Sequence, residues 1–371
     1  MSSGLQMTRR IRRTPYTSRV EAAGVRGFTV VNHMLLPKAF ERSVEEDYWH
    51  LKEHCQIWDV STQRQVELRG PDASRLVQWM TPRDVSNAKV GDCLYVPIID
   101  ANAGMINDPV LLKLAENHFW FSIADSDLLL WAKGLATGMR LDVSIGEPDV
   151  SPLAVQGPLA ESLLAECFGD DIRSIGFFKF GWIEFMGTRQ LVARSGYSKQ
   201  GGFEIYLNGS HLGEALWDTV CSAGKAHNLR PGCPNLIERI EGGLLSYGNE
   251  FTLENNPLEC GLENFCSLAA GFDFIGREPL IKIAERGPER LMRGILFDGP
   301  KHQGAVTIPW KVYSAERQVG QITSGIWSPK YKRHVGLSMI ERESWGIGEP
   351  VLVQDNLGNM RPGEISALPF G

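Results

Sequence analysis

The sequence predicts an α+β protein of two or three domains ending in a mostly β domain, and three observations carry that expectation. The chain has 371 residues, more than one hydrophobic core comfortably holds. Its 39 glycines and 20 prolines exceed average usage somewhat, which argues for many turns and against an all-helical fold. Alternating and helical apolar patterns both occur along it.

Strand-like alternation appears at 65–68, 119–123, 190–193 and 203–207. Helical periodicity runs over 72–80, 159–167, 212–226 and 235–246. The last follows Pro234, a residue suited to a helix's first turn. A composition shift comes near 271–280. Beyond it, strand candidates are separated by turns such as Asp298-Gly299-Pro300 and Asn356-Leu357-Gly358, so 280–371 reads as a separate β domain.

Composition narrows the function. Hydrophobic residues at 43% and charged residues at 22% are ordinary for a globular chain. A net charge of −6 argues against nucleic acid as partner, because phosphate backbones need clustered cations. The basic run Arg9, Arg10, Arg12, Arg13 reads as a solvated tail. No stretch nears the ~18 apolar residues of a membrane span, and no secretory leader is recognisable, so the cytoplasm is the expected compartment. The seven scattered cysteines, Cys55, Cys93, Cys167, Cys221, Cys233, Cys260 and Cys266, include no C-x-x-C and suit reduced thiols. Neither a P-loop, H-E-x-x-H, G-x-S-x-G nor a dinucleotide fingerprint is present, and no metal is expected.

Four segments interrupt apolar context with polar residues. In Asn32-His33-Met34-Leu35-Leu36-Pro37, His33 reads first as a turn or core histidine. In Gly104-Met105-Ile106-Asn107-Asp108-Pro109-Val110, Asn-Asp before Pro is ordinary turn chemistry. The third runs from Ala193 to Tyr206, where Gly196, Gly201 and Gly202 would let a tight loop approach a ligand. Alternation then puts Glu204 and Tyr206 on one strand face and Phe203 and Ile205 on the other. The residues alone leave open whether that carboxylate and phenol face solvent or grip a planar heterocycle. The fourth, Gln321-Ile322-Thr323-Ser324-Gly325-Ile326-Trp327-Ser328-Pro329, reads alone as a turn between two strands.

In order, these segments resemble the aminomethyltransferase (glycine cleavage T protein) family over nearly the whole chain. Glu53-His54 with Trp58-Asp59-Val60-Ser61 resembles E-H…F-D-V-S-H, and Ala154-Val155-Gln156-Gly157-Pro158 resembles A-L-Q-G-P. Gly104 to Asp108 resembles G-G-I-x-D-D, and Arg194 to Glu204 resembles R-T-G-Y-T-G-E-D-G-F-E. Arg239-Ile240-Glu241 with Tyr247-Gly248-Asn249-Glu250 resembles R-L-E…Y-G-x-E, and Thr323-Ser324-Gly325 with Ser328-Pro329 resembles T-S-G-x-x-S-P.

The resemblance implies a three-domain ring with a discontinuous folate-binding first domain (1–52 and 146–270), a second α+β domain (53–145) and a C-terminal β-barrel (280–371). Tetrahydrofolate is the implied cofactor. Glu204 would hold the pterin's amino and N3 donors, Asp108 would lie near the reactive N5 as the catalytic residue, and Tyr95, Ser122, Tyr197 and Tyr206 would complete the cofactor site. The chain departs from the family at Asn107, at Ser198-Lys199-Gln200 and at Pro234-Asn235-Leu236. These departures, with 32–37, 193–202 and 232–239, resemble a branch that demethylates dimethylsulfoniopropionate, although that branch commonly carries Trp where Tyr197 stands. The implied activity is a tetrahydrofolate-dependent methyltransferase, with sarcosine, dimethylglycine or another sulfonium as alternative donors. His33, Met34, Phe178 and Trp182 become substrate-site candidates, the aromatic ones because a sulfonium cation favours aromatic faces; Phe177 and Tyr206 share that property. The implied partners are a small-molecule methyl donor and folate, with a homodimer left open.

Overall fold

The computed structural model describes residues 8–301 and 304–371, so the start of the segment expected at 1–52 lies outside the described residues. The chain divides into two compact units. One takes the chain up to Leu76 with Asn87–Tyr95 and Pro109–Asn235; the other takes Val77–Ser86, Val96–Asp108 and Leu236–Gly371.

The first unit is built around a six-stranded sheet in the order Phe180–Phe185, Thr188–Ala193, Gly202–Asn208, Val150–Gln156, Gln56–Asp59 and Arg230–Gly232. Its pairs are antiparallel except the last. Period-two alternation sorts the side chains. Leu153, Val155, Val192, Phe203, Ile205 and Leu207 pack with residues of the helices Ala160–Phe168 and Gly213–Gly224. Phe180, Leu191, Ala193 and Tyr206 turn the other way, onto Cys93, Leu112 and Trp120. Those three belong to a five-stranded sheet, ordered Ser144–Gly146, Gln65–Arg69, His118–Ser122, Val110–Ala115 and Cys93–Tyr95. All four segments expected to alternate are strands. The strand Gln56–Asp59 hydrogen-bonds within the six-stranded sheet, whereas the sequence reading opens the second domain at 53.

Asp59 ties the start of the described chain to this sheet. It is 2% exposed and accepts hydrogen bonds from Thr14 Oγ1 at 2.5 Å and from Ser61 Oγ at 2.7 Å and N at 3.1 Å. Burial, partly offset by these donors, raises its carboxyl pKa to about 6.

In the second unit, Arg290–Phe297, Arg333–Glu341, Arg317–Ser328, Trp310–Ser314, Pro350–Gln354 and Met360–Ser366 close into a barrel in that order. Ile295, Phe297, Val312, Val319, Ile322 and Ile340 are among the side chains of its core. The chain is thus α+β with a C-terminal β-barrel. Two expectations need correction here. Segment 321–329 is not a turn: it lies almost wholly in the long strand Arg317–Ser328, whose register shifts between Ile322 and Ser324, and a bulge at Thr323 explains its polar, turn-like composition. The helix expected over 235–246 ends at Glu241. Gly243 has φ +63° and donates to Ile240 O, while Leu244 N donates to Arg239 O at 2.9 Å, a Schellman stop that only a left-handed residue closes easily.

Candidate functional site

The strand Gly202–Asn208 places Glu204 and Tyr206 on the face away from the helices, beside Ala154 and Leu191 of the neighbouring strands. Glu204 is 4% exposed and Tyr206 1% exposed; both are enclosed. Ser195 Oγ donates to Glu204 Oε2 at 2.5 Å, the one hydrogen bond this carboxylate makes among the described residues. Burial pushes the carboxyl pKa upward, and the Ser195 hydrogen bond only partly offsets it. The Tyr206 hydroxyl is buried and has no direct hydrogen-bond partner among the described residues, although the Ser122 and Ser195 hydroxyls and Cys93 are its polar neighbours. Burial first, and the adjacent Glu204 second, hold that phenol protonated well beyond its ordinary range. An uncompensated carboxylate and an orphaned hydroxyl on one sheet face are costly to maintain. Such groups suit a ligand that brings hydrogen-bond donors and an acceptor.

The glycine loop before this strand is fixed by Gln156. Its Nε2 donates to Ser195 O at 3.1 Å and Phe203 O at 3.3 Å, and its Oε1 accepts from Ser198 Oγ at 2.7 Å. A Cβ at Gly196, φ +150°, would stand 2.0 Å from Gln156 Oε1, and one at Gly202, φ +131°, would stand 2.3 Å from Val155 O. Both positions therefore need glycine. Tyr197 sits half-buried in this loop.

The other expected residues of this unit distribute unevenly. Ser122 is 5% exposed and accepts from Gln65 Nε2 at 3.1 Å. Tyr95 shares a face of the strand Cys93–Tyr95 with Cys93. Phe178, at φ +54°, packs half-buried against the cluster containing Tyr206 and Trp120. Phe177 is 76% exposed, with its ring 4.9 Å from that of Phe178. Trp182 is partly exposed, and the Arg189 guanidinium lies 4.6 Å from its ring centroid, so the protein already supplies a cation to that ring. His33 stands exposed at the tip of the hairpin Gly27–Val31/Met34–Ala39, with Asn32 and His33 both at positive φ, as a two-residue primed turn demands. Asn32, not His33, is the buried polar member: its Nδ2 donates to Thr62 O and Ala124 O. Met34 is 8% exposed.

Sequence reasoning passed over three features. Ser195 donates to Glu204 and is held in turn by Gln156, while Cys93 lies near the carboxylate, and the signal for the first two was the glycine pattern that makes room for an amide. His50 and His54 form an i,i+4 pair with ring centroids 5.0 Å apart, and among the described residues no three His, Cys, Asp or Glu side chains gather as a metal site. All seven cysteines are free thiols.

In the second unit, Asp108 follows the strand Met105–Asn107 and is half-buried, its N–H donating to Asn107 Oδ1 at 3.0 Å. The same unit explains two motifs as one network. Glu250 pairs with Arg239 Nη1 at 2.7 Å and accepts from Ser324 Oγ, Thr323 Oγ1 and Ser246 N. Ser328 Oγ donates to Glu241 Oε1 at 2.6 Å.

Known proteins place the chain in a class. Residues 16–270 match the GCVT N-terminal domain model and 290–370 the glycine cleavage T-protein C-terminal barrel domain model. The chain belongs to the glycine cleavage T-protein family. Within that family it is 50% identical over 357 residues, 96% of each chain, to dimethylsulfoniopropionate demethylase DmdA of Ruegeria pomeroyi. It is 32% identical to an aminomethyltransferase of Clostridium botulinum, over 84% of this chain and 85% of that one. The crystal structure of glycine cleavage system aminomethyltransferase T from Bartonella henselae superposes with TM-score 0.87 at 22% identity, covering 97% of this chain and 98% of the other. The fold is therefore that of the T protein. No helix among the described residues is long and apolar enough to cross a membrane.

Proposed function

We propose that the chain transfers a methyl group from dimethylsulfoniopropionate to tetrahydrofolate, giving methylmercaptopropionate and 5-methyltetrahydrofolate. The observation that carries this reading is the 50% identity to a demethylase over 96% of both chains. The buried group supports it: a carboxylate with no cation beside an unpartnered phenol fits the donor-rich edge of a reduced pterin. When bound, tetrahydrofolate supplies N5 as the nucleophile.

The chain's own residues do three things in this reading. Glu204 accepts the pterin's amino and N3 hydrogens, for which a carboxylate offers parallel acceptors. Tyr206, Ser122, Tyr95 and Tyr197 frame the ring. Asp108 orients the reacting centre or tunes its field, and His33, Met34, Phe178 and Trp182 are the candidates for the methyl donor. Little acid–base work is required, because a sulfonium releases its methyl group with the C–S electron pair staying on sulfur as a neutral thioether, and the proton displaced from N5 would pass to water. Alignment can then supply ~7–11 kcal/mol of the barrier reduction. Cytoplasmic placement and a homodimer belong to the same proposal, tested by cell fractionation and by light scattering.

The deciding experiment incubates the purified protein with tetrahydrofolate and dimethylsulfoniopropionate and assays methylmercaptopropionate. Turnover with sarcosine or dimethylglycine and none with the sulfonium would move the chain to a different donor; accumulation of 5,10-methylene- rather than 5-methyltetrahydrofolate would change the reaction itself.

A further inference from the structure

We infer that Ser195, held by the side chain of Gln156, is a positioning residue that aims the Glu204 carboxylate at its ligand. The inference rests on Glu204 being the folate-binding carboxylate.

A glutamate side chain has three rotatable bonds, and burial by apolar neighbours does not select a rotamer for its carboxylate. Ser195 does. Its Oγ reaches Oε2 at 2.5 Å, and among the described residues nothing donates to Oε1. Oε1 is left for the ligand, and Oε2 keeps a lone pair for a second donor. The Ser195 side chain can hold that place only if its backbone is fixed, and here Gln156 enters. From one amide group it binds Ser195 O near the start of the loop, Ser198 Oγ in the middle and Phe203 O at the end. Gln156 is 1% exposed, Ser195 5% and Ser198 1%, so water does not compete for these bonds. The glycines at 196 and 202 confirm that the amide occupies a reserved place, since a Cβ at either would come within 3 Å of it. Carboxamide, loop carbonyl, serine hydroxyl and carboxylate thus form one buried relay ending at the proposed pterin edge.

The test measures tetrahydrofolate affinity between pH 5 and 8 for the wild type and for Ser195→Ala, Ser195→Thr, Gln156→Met and Glu204→Gln. Losing a hydrogen bond to a charged group weakens binding roughly ten-fold or more, so Ser195→Ala and Gln156→Met show that loss, while turnover at saturating folate changes far less. Ser195→Thr, which keeps the hydroxyl, stays near the wild type. Ser195→Ala also moves the pH at which binding falls away upward, because the carboxyl has lost its donor. A purely structural role would instead lower melting temperature and leave that pH midpoint in place. Wild-type affinity in Ser195→Ala, or equal losses in the Ala and Thr variants, overturns the positioning role. If Gln156→Met does not fold, the Ala/Thr pair decides. If Glu204→Gln itself binds folate like the wild type, the reading of Glu204 falls, and the inference with it; a weakened Glu204→Gln beside an unaffected Ser195→Ala sinks the inference alone.

Discussion

Two buried glutamates, one in each unit, are solvated by the protein in opposite ways. Glu250 is 3% exposed and saturated: an arginine, two hydroxyls and a backbone N–H converge on its two oxygens. Glu204 is 4% exposed and, among the described residues, has one hydroxyl and no cation. A structural carboxylate must have its desolvation offset within the fold. A binding carboxylate kept short of donors holds that deficit for the ligand to fill. Exposure does not separate the two; the count and charge of their partners do.

The largest test of this contrast is on the saturated side. Glu250→Gln removes the carboxylate charge that pairs with the Arg239 guanidinium, itself 7% exposed, and breaking a buried pair this way costs about 3–5 kcal/mol. Urea denaturation reads it directly; a loss under about 1 kcal/mol, the scale of exposed pairs, would erase the distinction. Asp59 sits between the extremes, with three donors and no cation among the described residues. Its folded pKa, about 6, lies above the ordinary 3.8. The stability it contributes is therefore complete below the unfolded value and is lost as pH rises through the folded one, by about 3 kcal/mol in all. Asp59→Asn should flatten stability between pH 4 and 7 relative to wild type, and parallel curves would show that Asp59 titrates normally. Asp108→Ala should lower turnover at least ten-fold while leaving the unfolding midpoint nearly unchanged, the scale expected of a group acting at the reacting centre. Full activity in that variant removes Asp108 from the reaction.

The contrast was only half legible in the sequence. Alternation at 203–207 put Glu204 and Tyr206 on one face, and the sheet confirms it, because a period of two survives any tertiary context that buries both faces. What alternation cannot say is whether a polar pair on that face meets water or a second sheet; the packing of Cys93, Leu112 and Trp120 comes from residues about a hundred positions away. Glu250 and Thr323–Ser324 were readable as family motifs but not as one network, since their hydrogen bonds span 73 and 74 residues. The bulge at Thr323 read as a turn for a related reason: its polar residues answer to Glu250 rather than to solvent. Helix ends were legible only where chemistry is local, and Gly242-Gly243 was the overlooked stop.

The smallest expected effect is the most discriminating. Burial holds the Glu204 carboxyl above its ordinary value, so its contribution to stability is present below the unfolded pKa and lost as pH rises, because burial disfavours the charged form. Glu204→Gln removes that charge and keeps an oxygen to accept from Ser195. Folate affinity should fall by about 1.5–3 kcal/mol, the worth of hydrogen bonds to a charged group, while the unliganded protein melts no lower than wild type. Stability and binding move in opposite directions only for a group maintained for its ligand. If calorimetry without folate shows Glu204→Gln destabilised as Glu250→Gln is, then Glu204 is a second structural carboxylate, and the difference between the two glutamates is one of geometry rather than of function.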